Sequence, residues 1–226
     1  AVSNFSEISH YNFFFFPNNY KKFYSQAIRF ETYKESSWLK SYLDIIRRIS
    51  LYNNKSDIII KNPSNTARIK SLLKIYPNAK FIHIYRNPVF VYLSTYKFFS
   101  ELFPSVNLQK IDKNVLFDLI IYNYREMYKD YYDQKDLIPK ENLIEFKFED
   151  FKSDSMKYLL KIHKKFKIED NEIIIKEYDN YLKDQRKHKM NSYTIEKEKL
   201  DILLKEFRLS FNSMNYKIPE NLNVIN

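Results

Sequence analysis

Arg86 and Ser94 are the residues whose types and spacing could do chemistry, and that chemistry is anion binding. Asn87, next to Arg86, is a good helix N-cap, and Pro88 is preorganised for the first helical position. The step from Asn87 to Ser94 is nearly two turns, so both fall on one helix face. An anion beside those turns would take a fork of donors from Arg86, a hydroxyl from Ser94 and the positive end of the helix dipole. The same spacing has a purely structural reading, in which Asn87-Pro88 is only a cap and Ser94 bonds back to its own helix. Spacing leaves both open.

The elements that must position these residues run from Asp57 to Phe99. Asp57 to Lys61 reads as a short buried strand, and Asn62 to Asn65 turns the chain. Thr66 to Ile75 carries Ile69, Leu72 and Leu73 at helical spacing, and Pro77-Asn78 ends that helix. Lys80 to Tyr85 reads as a second strand, delivering Arg86 at its carboxyl end. Strand, helix, strand, helix predicts a βαβ unit with parallel strands covered by helices. Ligands of open α/β sheets bind at that carboxyl edge.

Three segments carry a resemblance. Pro77-Asn-Ala-Lys-Phe-Ile-His-Ile-Tyr-Arg-Asn-Pro88, with Ser94 after it, resembles the 3′-phosphate-binding segment of sulfotransferases that use 3′-phosphoadenosine-5′-phosphosulfate, PAPS. Ile60-Lys-Asn-Pro-Ser-Asn-Thr-Ala-Arg-Ile69 resembles the Lys-Ser/Asn-Pro turn of that family's bacterial-type branch. Leu143-Ile-Glu-Phe-Lys-Phe-Glu-Asp-Phe151 resembles its strand ending in Tyr-Glu-Asp. The resemblance is best over residues 57–166. It implies an α/β, P-loop-NTPase-like three-layer fold with a central parallel sheet flanked by helices. It implies sulfuryl transfer from PAPS to a hydroxyl or amine, with PAPS or 3′-phosphoadenosine 5′-phosphate as the nucleotide and no metal. Arg86 and Ser94 would hold the 3′-phosphate. Lys61 would touch the transferring sulfuryl group. Phe148 would stack near the adenine, without the hydroxyl of the family's tyrosine. Arg186, Lys187 and Tyr193 would belong to a late basic loop closing over the 3′-phosphate. Where many relatives carry His, Asn65 can donate a hydrogen bond but cannot act as a base. No general base can be assigned.

Composition bounds these expectations. The chain has no glycine, so a P-loop or Gly-rich dinucleotide turn is impossible within it. The family's 5′-phosphosulfate loop and first strand are therefore expected upstream of Ala1. The chain is expected to be one N-terminally truncated domain (residues 1–226, core 57–166, C-terminal helices 170–207), inactive alone. No cysteine is present, which excludes disulfides, thiolate zinc and a cysteine nucleophile. The histidines His10, His83, His163 and His188 lack metal-ligand spacing. A formal charge of +10 suits phosphorylated ligands or polyanions, but the basic residues are scattered and mixed with acids. That pattern argues against nucleic acid. No apolar run is long enough to span a bilayer, and a cytoplasmic chain is expected over a secreted one. Two rival readings stand beside the sulfotransferase: a P-loop-type nucleotide kinase relative, and a non-enzymatic basic nucleic-acid-binding module using its aromatics.

Elsewhere, helices are expected over Tyr20–Thr32, Ser36–Leu51, Asp112–Gln134, Ser153–Phe166 and Glu172–Asp184, and from Thr194 to about Phe207. Pro104 is expected to stop the helix that begins at Pro88, and the tail from Pro219 to fray. Phe13 to Phe16 cannot all face one side of an element. They would line an aromatic acceptor pocket or form part of a core whose cover is missing.

Overall fold

The computed structural model of the chain describes residues 9–31, 35–54, 57–169, 171–185 and 193–225. Its helices and strands, in chain order, begin with α1 (Tyr20–Tyr24), α2 (Glu35–Tyr52), α3 (Ile69–Ile75), β1 (Phe81–Tyr85), α4 (Pro88–Val106) and α5 (Lys113–Gln134). There follow β2 (Leu143–Lys147), α6 (Phe148–Ser153), α7 (Ser155–Phe166) and α8 (Glu172–Gln185). The C-terminal part holds β3 (Thr194–Glu196), α9 (Lys197–Glu206), α10 (Arg208–Met214) and β4 (Asn223–Ile225).

The fold is a mostly helical α/β arrangement with small parallel sheets. β1 pairs in parallel with β2, from Phe81↔Leu143 to Tyr85↔Lys147. β3 pairs in parallel with β4, from Thr194↔Asn223 to Glu196↔Ile225. The expected central sheet is thus only two strands wide among the described residues. Asp57–Lys61 is not a strand: it joins no ladder among the described residues, and Ile59 is 93 % exposed. An apolar pentad becomes a strand only when a neighbour takes its backbone groups.

Local chemistry explains the main helices. Asp112 caps α5 by accepting from the backbone amides of Asn114 and Val115, both at 2.8 Å. Asp154 caps α7 by accepting from the amide of Lys157, and Lys167 ends it in the left-handed region (φ 54°). Pro104 does not stop α4, which runs to Val106. Its missing N–H forfeits the bond to the Ser100 carbonyl, and α4 ends two residues later. Thr194 begins β3 rather than capping α9, and the tail expected to fray supplies β4.

The main core lies between α4, α5, α9 and α10, with Val89, Leu119, Leu203 and Phe207 all buried. Phe13 enters this core and Phe14 packs edge-on against Phe99 and Phe103, whereas Phe15 and Phe16 point outward. The four phenylalanines divide as their adjacency requires. Trp38 is a core residue, stacked on Tyr42 at 4.8 Å with the buried Arg68 guanidinium 4.6 Å from its ring.

One face of the β1–β2 pair lies on α5. There Glu145 accepts from the Tyr131 hydroxyl at 2.6 Å, with Lys135 Nζ at 3.4 Å and His83 Nδ1 at 3.5 Å. His83, Tyr131 and Lys135 hold the Glu145 carboxyl down at about 2. Folding therefore favours its ionised form. The stability this gives is complete above the unfolded carboxyl's value of about 4.3 and is lost as pH falls toward about 2. Glu145→Gln is expected to lose about 1 kcal/mol at neutral pH, the difference between a charged and a neutral acceptor. The deficit should shrink through that acid window in urea titrations at stepped pH. A deficit constant down to pH 2 would show that charge is not its source.

Candidate functional site

The pairing register builds the site. Because Tyr85 and Lys147 are the last partners of the β1–β2 ladder, Arg86 and Phe148 leave it side by side. The Arg86 guanidinium carbon lies 5.1 Å from the Phe148 ring centroid and 5.5 Å from that of Phe90, both within cation–π range. Phe90 is one turn into α4 from Arg86, and Ser94 is one turn further, so the two share a face. Phe90 also meets the Tyr193 ring, at 6.0 Å. Arg86, Phe148 and Tyr193 are thus gathered around Phe90, a residue the sequence reading passed over although its spacing from Arg86 and Ser94 was visible.

The turn beneath Arg86 is heavily tied. Asn87 is buried, and its side-chain oxygen accepts from the Val89 amide at 3.1 Å, the cap expected of it. Its side-chain amide donates to the Lys217 carbonyl at 2.8 Å, and its backbone N–H donates to Glu149 Oε1 at 3.3 Å. Arg86 itself forms no ion pair with any carboxylate among the described residues. Ser94 Oγ donates to the Val91 carbonyl at 3.0 Å, so it back-bonds to its own helix and must leave that carbonyl to donate to an anion.

The remaining expected residues lie apart from this group. Lys61 is exposed on the segment before the Pro63 turn, and no hydrogen bond or ring contact links it to Arg86. Asn62 shapes that turn, accepting from the Ser64 amide and the Tyr11 hydroxyl, both at 3.0 Å. Phe148 is the first residue of α6, not the last of the strand. Arg186 and Lys187 lie outside the described residues. The chain ends α8 at Gln185 and is described again at Tyr193, beside Phe90.

The family model described as the sulfotransferase family matches residues 10–172. The chain belongs to the sulfotransferase family. Omega-hydroxy-beta-dihydromenaquinone-9 sulfotransferases Stf3 of Mycobacterium bovis and Mycobacterium tuberculosis are each 28% identical to it over 166 residues, 74% of this chain. The match covers 42% of each relative, so the chain spans less than half the length of the curated relatives it matches. No solved structure matches significantly.

In this sulfotransferase-family chain a cleft beside α4 is a separate feature. A cavity of about 440 Å³ between α4 and α5 is lined by Tyr96, Phe99, Phe103, Asn107 and Leu116, and neither Arg86 nor Ser94 touches it. Among the described residues no His, Asp or Glu cluster could hold a metal, and no helix is long and apolar enough to cross a membrane.

Asn87→Ala is expected to cost about 0.5–2 kcal/mol through loss of the α4 cap. Urea unfolding checks this. An unchanged midpoint would mean that the turn is held without its cap.

Proposed function

We propose that the protein is a PAPS-dependent sulfotransferase, transferring a sulfuryl group from PAPS to a hydroxyl or amine acceptor. The observation that carries the proposal is Arg86. It is a guanidinium free of carboxylates among the described residues, flanked by two aromatic rings, at the carboxyl end of a parallel strand and beside a capped helix start. Family membership supports the reaction class, and an α/β arrangement with parallel strands is compatible with a P-loop-like three-layer architecture.

In this reading Arg86 takes two oxygens of the 3′-phosphate in a fork, and Ser94 swings from the Val91 carbonyl to donate to a third. The α4 dipole adds attraction. Phe148 stacks near the adenine, and Arg186, Lys187 and Tyr193 serve the 3′-phosphate as the family's late basic loop does. Lys61 stabilises charge developing on the sulfuryl oxygens in the transition state. The transfer is an in-line displacement: the acceptor oxygen or nitrogen bonds to sulfur as the bond from sulfur to the 5′-phosphate oxygen breaks. The acceptor's proton leaves to a base that we do not assign. The Mycobacterium relatives are named for an omega-hydroxy compound, which favours a hydroxyl as the acceptor here.

Arg86→Ala should weaken binding of 3′-phosphoadenosine 5′-phosphate about ten- to a hundredfold, the value of a charge-assisted contact of about 1.5–3 kcal/mol. Ser94→Ala should cost about 1 kcal/mol, a single hydroxyl contact. Calorimetry on folded variants tests both, with single-stranded DNA as the competing ligand. Wild-type affinity in both variants would remove the 3′-phosphate assignment, and preference for DNA would favour a nucleic-acid module. Assayed in the full-length protein, Lys61→Ala should lower turnover of PAPS while leaving binding of 3′-phosphoadenosine 5′-phosphate, which has no sulfuryl group, unchanged. A loss of binding instead would make Lys61 a nucleotide ligand.

A further inference from the structure

After α10 the chain turns at Asn215, in the left-handed region (φ 51°), and crosses the carboxyl ends of β1 and β2. Lys147 Nζ donates to the Asn215 carbonyl at 3.0 Å and lies 4.6 Å from the Tyr216 ring centroid. The Tyr216 ring meets Tyr85 edge-on at 6.1 Å. The Tyr216 hydroxyl donates its one proton to Glu149 Oε2 at 2.5 Å, with the Tyr85 carbonyl further off at 3.4 Å. Burial and the Glu149 carboxylate push that phenol's pKa up, so it keeps the proton it donates. The Lys217 carbonyl accepts from Asn87. This strap holds the neighbours of Arg86 and Phe148, and no hydrogen bond or ring contact joins it to either of them.

Its central contact answers a difficulty. Glu149 follows Phe148, whose ring lies on Arg86, and one of its oxygens accepts from Asn87, the residue after Arg86. A carboxylate placed there is the natural partner of Arg86 and the natural competitor of any anion bound to it. Yet Arg86 forms no ion pair among the described residues, and each Glu149 oxygen accepts a hydrogen bond elsewhere, one from the Asn87 N–H and one from the Tyr216 hydroxyl.

We propose that Tyr216, carried by the C-terminal strap, is a positioning residue that holds the Glu149 carboxylate away from Arg86 and so keeps the guanidinium open to an anionic ligand. With the hydroxyl removed, Glu149 Oε2 loses its donor and the carboxylate becomes free to turn to Arg86. The reading of the ligand as a 3′-phosphate rests on the proposed function. The competition between Glu149 and an anion does not.

The test is a pair of variants, Tyr216→Phe and Tyr216→Phe/Glu149→Gln, each shown folded by circular dichroism and urea midpoint. The probes are 3′-phosphoadenosine 5′-phosphate and 5′-adenosine monophosphate, which lacks the 3′-phosphate. Tyr216→Phe should weaken the first about tenfold and leave the second unchanged. The double variant should recover most of that loss, because glutamine cannot pair with Arg86 as an ion. A strap that acted only as a brace would give a double variant at least as weak as the single one, and that result overturns the proposal, as does unchanged binding in Tyr216→Phe. The Arg86 Nε–H resonance, identified by its loss in Arg86→Ala, supplies a readout without ligand. It should shift in Tyr216→Phe and return in the double variant, and a resonance that stays put in Tyr216→Phe also overturns the proposal. Wild-type protein with no preference between the nucleotides would remove the 3′-phosphate reading, while this resonance would still decide the role of Tyr216.

Discussion

The parallel ladder between β1 and β2 is the constraint on which the site depends. Its register ends with Tyr85 opposite Lys147, so the next residue of each strand must emerge at the same edge. Those residues are Arg86 and Phe148, which explains why a cation and a ring far apart in sequence lie 5.1 Å apart. A slip of one residue would exchange the two faces of the strand. It would move Glu145 off Tyr131 and put Ile144 and Phe146, now buried against Ile162 and Phe166, toward α5. The face chemistry below the site therefore fixes the geometry above it.

Helix α5 and the C-terminal strap share the work of holding that edge. From below, Tyr131 of α5 and Lys135 just after it engage Glu145 in the middle of β2. From above, Tyr216 and Lys217 engage Tyr85, Asn87 and Glu149 around its end. The strap itself adds little to the core, since Asn215 and Lys217 are exposed whereas Phe211 and Met214 just before them are buried. Its hydrogen bonds fall on the turn after β1 and on the start of α6.

Much of this was legible in the sequence because it is local. The Asn87-Pro88 cap, the spacing from Arg86 through Ser94, the second strand and the long helix after Asp112 each follow from a few adjacent residues. Pro104 aside, the misses share one cause, which is pairing across the chain. Asp57–Lys61 has the composition of a strand but no ladder partner among the described residues. Thr194 looks like a cap and becomes a strand because Asn223–Ile225 lies beside it. Tyr216 has no local signal at all, since its partners Tyr85 and Glu149 are set by how α10 packs. Glu149 stands in the first turn of α6, but its engagement by Asn87 and Tyr216 could not be seen from its neighbours in sequence.

Net basicity is a poor guide to where an anion binds in this chain. Its lysines are mostly solvated or spent on carboxylates and carbonyls, as Lys74 is on Glu35 and Lys80 on the Phe166 carbonyl. Charges in water are screened within about 8 Å at physiological ionic strength, so a formal charge of +10 gives diffuse attraction without an address. Arg86 differs in its surroundings. The rings of Phe90 and Phe148 displace water from the guanidinium without neutralising it, and the Glu149 carboxylate beside Asn87 accepts from other donors. A cation so placed has given up part of its hydration and has not been repaid by an ion pair, so an anion that completes the arrangement gains more than it would from a solvated lysine. On the proposal made for Tyr216, the management of one acid, Glu149, distinguishes this site more than the supply of basic residues.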